Sequence, residues 1–135
     1  MDVRYTGIIL DDFESELNTK TPERRSEIKK WLVSTVYPAL EESPGREGWI
    51  WLAGTIVHYD SFLQMTYDGF KKSEEDDTTY SWDVVFKRAI QDEKPMWAEQ
   101  FPISKLKKKK KEFIEAGLVN KFAQEYMNDA RDLGS

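Results

Sequence analysis

The sequence predicts an α/β domain: a small three-layer parallel sheet with flanking helices. Short apolar runs alternate with stretches of helical periodicity, in the order strand, helix, strand, helix, strand, helix, helix. That alternation implies right-handed crossovers and parallel strands. The 135 residues suit one compact domain, and 5 Trp, 7 Phe and 6 Tyr supply the volume of a modest core.

Each element has its own warrant. Gly7-Ile8-Ile9-Leu10 is a short β-branched run that ends at Asp11-Asp12, a buried strand with carboxylates at its C-terminal end. Phe13 to Lys20 is polar and reads as loop. Thr21-Pro22-Glu23 then starts a helix, with a hydroxyl cap, proline at the first helical position and an acid in the first turn. Ile28, Leu32, Thr35 and Ala39 recur at helical spacing, widened by Trp31, Val36 and Leu40, and Pro38 kinks or shortens the end. The break at 43–48 leads into Trp49-Ile50-Trp51-Leu52-Ala53-Gly54-Thr55, apolar enough to be covered on both faces. From Asp60, the residues Phe62, Leu63, Met65 and Phe70 predict a shorter helix, and Ser73 to Thr79 a surface loop. Trp82 to Ile90 reads as a third strand. Ile103 to Glu115 is a basic helix with Gly117 as its C-terminal stop, and Leu118 to Arg131 a last helix carrying Val119, Phe122 and Tyr126 on one side.

Composition removes several chemistries. Without cysteine there are no disulfides, thiolate metal sites or cysteine nucleophiles. His58 is the single histidine, which rules out His-rich metal sites and argues against a His-based triad. A net charge of -5, with 25 acidic against 20 basic residues, does not describe a nucleic-acid binder dominated by basic groups. Contact with DNA would need a local patch, and Lys107, Lys108, Lys110 and Lys111 are its candidates. More often such a run is a solvated helix face, with Leu106, Phe113 and Ile114 beneath it. No apolar run approaches the roughly 20 residues of a membrane helix, and Met1-Asp2-Val3-Arg4-Tyr5 is neither a signal nor a transit peptide. Trp49, Trp51, Trp82 and Trp97 read as core or interface anchors rather than base-stacking platforms.

Two features carry possible chemistry. Paired acids at the carboxyl edge of a parallel sheet stand where α/β proteins bind ligands, and hard oxygen donors there suit Mg²⁺. The alternative is a strand end followed by a solvated acidic turn. Ala53-Gly54-Thr55 closes the neighbouring strand, and its hydroxyl and exposed backbone can sense a phosphate or an attacking water. Alternatively, Gly54 only permits a tight exit.

In order along the chain, Ile8 to Glu16, the helix capped at Thr21-Pro22-Glu23, and Ala53-Gly54-Thr55 with His58-Tyr59-Asp60 resemble the large subunit of tailed-phage terminases. Pro95 to Phe101 and Phe122 to Asp129 extend the likeness over most of the chain. The resemblance implies the C-terminal half of a P-loop, ASCE-type ATPase domain in a viral DNA-packaging motor. Residues 1–100 would be a partial ATPase core with the Walker B strand, the coupling strand and a third strand. Residues 101–135 would be a helical linker towards a nuclease domain. It further implies Asp11 as a Mg²⁺ ligand, Asp12 in the place of a catalytic Glu, and Thr55 as the residue that reports hydrolysis. Where related members carry Arg soon after the Gly-Thr pair, this chain has Ile56. A phosphate-binding loop needs Gly, four residues, then Gly-Lys-Ser/Thr, which is absent from the sequence and is expected upstream of Met1. Mg²⁺ and ATP are therefore cofactors of a complete protein, with neither expected to bind this chain tightly.

The implied partners are the rest of the terminase, its small subunit, the portal and double-stranded DNA, in the cytoplasm of an infected bacterium and with no membrane. An unpaired sheet edge favours self-association. The alternatives are a stand-alone, non-enzymatic interaction module derived from a terminase, binding motor, portal or DNA, and an unrelated small α/β domain.

Overall fold

The first apolar run pairs with the second. Strand β1 (Gly7–Asp11) and strand β2 (Trp49–Ala53) form a parallel ladder in which Gly7 faces Trp49 and Asp11 faces Ala53. This computed structural model describes residues 3–130. Between the strands lies helix α1 (Pro22–Trp31), started as the sequence predicts: Thr21 Oγ1 accepts the Arg24 amide at 3.2 Å and Pro22 takes the first turn. Pro38 ends it in two steps. A wide turn over Leu32–Val36 is followed by a tight one over Tyr37–Ala39, because a ring without an N–H cannot continue the regular bond ladder.

Helix α2 (Phe62–Glu75) begins at Ser61, whose Oγ accepts the Gln64 amide at 3.1 Å. It runs past the loop expected at Ser73, which is buried and bonded to the Phe70 carbonyl. Helix α3 (Ile103–Glu115) closes on Gly117, whose φ of 73° lets Leu118 N–H reach the Phe113 carbonyl at 2.8 Å and Gly117 N–H reach Ile114 at 3.0 Å. Helix α4 (Val119–Met127) ends at Asn128, in the left-handed conformation. The helix therefore stops short of the end expected at Arg131, because the left-handed Asn128 breaks the regular bond ladder.

The third parallel strand does not form. Residues 82–88 run extended, with Trp82, Val84 and Phe86 half-buried in alternation, but they make no ladder with β1 or β2. Pairing begins only at β3 (Ile90–Gln91), which turns back antiparallel onto β4 (Lys94–Pro95) through Asp92 and Glu93, both at positive φ. The described residues are thus mixed α/β, with a two-stranded parallel sheet, a short hairpin and four helices.

The same shortfall leaves β2 covered on one face. Ile8, Leu10, Ile50 and Leu52 pack on Leu32, Val36 and Phe62, joined by Phe13, Ile28, Tyr37 and Trp82. The opposite face keeps Ile9 62%, Trp49 47% and Trp51 68% exposed, so the expectation of two covered faces fails. Trp97 is also exposed, and Trp82 is the tryptophan that meets the core, edge-on to Phe62. A second cluster joins α3 and α4 around Leu106, Phe113, Phe122 and Tyr126; Ile114, expected there, is exposed. No helix among the described residues is long and apolar enough to cross a membrane.

Leu32 is fully buried at the centre of the main core. Leu32→Ala is expected to lower stability by about 2–5 kcal/mol in urea unfolding, against about 0.5 kcal/mol or less for Trp51→Ser on the open face.

Candidate functional site at the carboxyl end of the parallel strands

Parallel pairing brings Asp11-Asp12 and Ala53-Gly54-Thr55 to one sheet edge. Asp12 N–H donates to the Ala53 carbonyl at 2.7 Å, extending the ladder by one bond. Asp12 itself turns left-handed, with φ 55°. Asp tolerates that region better than most residues, and such conformations concentrate at sites where surrounding structure enforces them. Gly54 sits close to both neighbours: a Cβ on it would lie 3.1 Å from Leu63 Cδ1, which would have to give way slightly, and 3.7 Å from Asp12 Cα. Asp11 and Asp12 are both exposed, with no ion pair to either among the described residues.

Two free carboxylates at a strand end fit Mg²⁺ in kind, since that ion takes one or two protein oxygens and fills its shell with water and phosphate. No group of three or more His, Asp or Glu among the described residues is placed to hold a metal ion.

Thr55 follows Gly54 just beyond the end of β2. With Gly54 it lines a cleft of about 290 Å³ whose remaining walls include Lys87, Arg88, Trp97 and Tyr126. Asp11 and Asp12 lie outside the cleft lining, so Gly54 is the point where acids and cleft adjoin. Lys107, Lys108, Lys110 and Lys111 are exposed on α3 and do not line it either.

The side chains that hold this edge in place were less visible in the sequence. Glu14, 3% exposed, accepts the Phe62 amide at 2.6 Å and the Leu63 amide at 3.0 Å, capping α2 from the start of the β1 exit loop. Burial raises its pKa, and the two amides and Lys29 oppose the rise. Arg25, buried in α1, donates to Asp60 at 3.0 Å and to the Thr19 carbonyl at 2.9 Å, while Lys29 reaches the other Asp60 oxygen at 2.9 Å. The available signal was the i, i+4 spacing of Arg25 and Lys29 beside Ile28 and Leu32. Lys29 and Arg25 hold the Asp60 carboxyl below its ordinary range.

His58 occupies a bonded loop position: its Nδ1 accepts the Asp60 amide at 2.9 Å, and Nε2 lies 3.2 Å from Arg25 Nη1. Protonation would put N–H groups against both donors. Desolvation and then Arg25 accordingly lower its pKa, with Asp60 opposing.

No protein-family model, curated protein or solved structure matches the chain.

Two measurements test this scaffold. Glu14→Ala strands two amides at the start of α2 and is expected to cost about 1–3 kcal/mol in chemical denaturation, with Glu14→Gln less damaging because one acceptor survives. A depressed His58 pKa means the unfolded chain takes up the proton first, so its contribution is full above the unfolded value of about 6.5 and is lost as pH falls below it. The stability difference between the parent and His58→Gln should shrink between pH 7.5 and pH 5.5; a difference that is flat across that window refutes the assignment.

Proposed function

We propose that this chain is the metal-and-water half of an ATPase site from a terminase large subunit, the motor that packages DNA in tailed phages. The observation that carries the reading is the shared sheet edge. Two unpaired carboxylates at the end of β1 adjoin the Gly54-Thr55 exit of the parallel neighbour, joined by the bond from Asp12 to Ala53. Ligands in α/β proteins bind outside the carboxyl ends of such strands.

In this reading Asp11 holds the Mg²⁺ shell and Asp12 orients the attacking water. The ion, when bound, neutralises charge on the phosphates. Thr55, a hydroxyl in the wall of the adjacent cleft, senses the state of the site. The sequence contains no phosphate-binding loop, so the phosphates would be held by another segment. The open face of Ile9, Trp49 and Trp51 agrees with a parallel sheet whose second cover is supplied elsewhere. That same face favours the second reading, a non-enzymatic module that docks on a motor or portal through it. The exposed lysines of α3 leave double-stranded DNA as a possible contact in either reading.

Mg²⁺ titration of the isolated chain separates the two readings. The amides of Asp11, Asp12 and Gly54 should shift first in NMR spectra, weakly and in the millimolar range, and Asp11→Ala should remove the response. ATP turnover is expected only when a phosphate-binding segment is supplied, and Asp11→Ala should abolish it. Turnover by the isolated chain would defeat the half-site reading, and Mg²⁺ insensitivity of these amides would favour the docking module.

A further inference from the structure

One side chain ties the end of α4 to the exit of β2. Asn128 Oδ1 accepts the Ile56 amide at 3.1 Å, and Asn128 Nδ2 donates to the Lys87 carbonyl at 2.7 Å. Ile56 is 4% exposed and follows Gly54-Thr55 directly. The helix end is also bonded to the stretch just before β3, through Ala89 N–H to the Tyr126 carbonyl at 2.7 Å and Arg88 Nε to the Met127 carbonyl at 2.9 Å. Three stretches far apart in sequence therefore meet at the carboxyamide of Asn128.

Asparagine suits this place on two counts. It accepts the left-handed backbone, with φ 50° and ψ 40°, at lower cost than most residues. It also presents an acceptor and a donor from one planar group, and the partners dictate which is which: an amide hydrogen on one side, a carbonyl oxygen on the other. Aspartate would keep the bond to Ile56 but set an oxygen against the Lys87 carbonyl. Glycine would keep the backbone and lose both bonds.

We propose that Asn128 is a positioning residue for the Gly54-Thr55 exit, making a displacement of α4 and a displacement of Thr55 a single movement. Thr55 and Tyr126 face a common cleft, so a ligand entering it touches both ends of this link. The meaning of the link for turnover rests on the ATPase reading; the link itself rests on the hydrogen bonds.

Amide hydrogen exchange on the full chain tests it. Asn128→Gly should speed exchange at Ile56 by about 10-fold, with Trp49, bonded to the Thr6 carbonyl at the far end of the ladder, at its parent rate. Asn128→Asp should retain the protection of Ile56, since a carboxylate oxygen still accepts there. Unchanged Ile56 exchange in Asn128→Gly overturns the proposal. So does equal acceleration at Ile56 and Trp49, which would make Asn128 a general stabiliser. In the turnover assay with the phosphate side supplied, Asn128→Gly should lower kcat and leave KM for ATP in place. Fast Ile56 exchange with an unaltered kcat would overturn the role in turnover. A parent protein with no turnover bears on the ATPase reading alone, and exchange at Ile56 still decides the link.

Discussion

A carboxylate removed from water and capped onto two backbone amides sets the geometry on which the rest depends. Glu14 leaves the exit of β1 and closes the first turn of α2, where Phe62 lies 48 residues further along the sequence. Burying a charge is costly unless it is paired or hydrogen-bonded, and the start of a helix offers free donors and a favourable dipole at once. Because both amides are spent on Glu14, the start of α2 cannot drift from the β1 exit. Phe62 is thereby set into the core beside Leu32 and Val36, and Leu63 against Gly54. The acids at 11 and 12 inherit their position from that anchoring.

Around the anchor, charge adds to apolar contacts such as Phe13 against Phe62 in holding the loops. Asp60 is shared by Arg25 and Lys29, and Arg25 also serves the Thr19 carbonyl. A buried guanidinium divided between a carboxylate and a carbonyl fixes direction as well as distance, through its planar fork of donors. The loop after β1, helix α1 and the loop before α2 are thus aligned by one cation. The ion pair of Lys121 with Glu16, at 2.8 Å, adds α4 to the same assembly.

How much of this the sequence disclosed follows from how local each signal is. The start of α1 at Thr21-Pro22, the stop at Gly117 and the apolar strand before Asp11 are written in adjacent residues, and all three formed. The run Trp82 to Ile90 has strand composition, but a ladder needs a partner edge. The extended chain found its bonds at Tyr126 and Asn128 instead. The tight hairpin after it turns on Asp92 and Glu93 without the usual glycine, so no turn signal marked it. Asp11, Asp12 and Thr55 were legible as candidates because strand ends are legible. Glu14, Arg25 and Asn128 were not, because each acts on a partner 6 to 72 residues away.

The left-handed turn at Asp12 also constrains which residues the position can accept over evolutionary time. A side chain there must tolerate positive φ while its own Cα sits against Gly54. Glycine, asparagine and aspartate meet that condition most readily, although Glu93, at φ 63°, holds the same region in the β3–β4 turn. The backbone, before any chemistry is considered, therefore favours glycine or a short polar residue at this strand end. A β-branched residue there requires the β1 exit to be rebuilt first, so position 12 and the loop that carries it are expected to change together in related sequences.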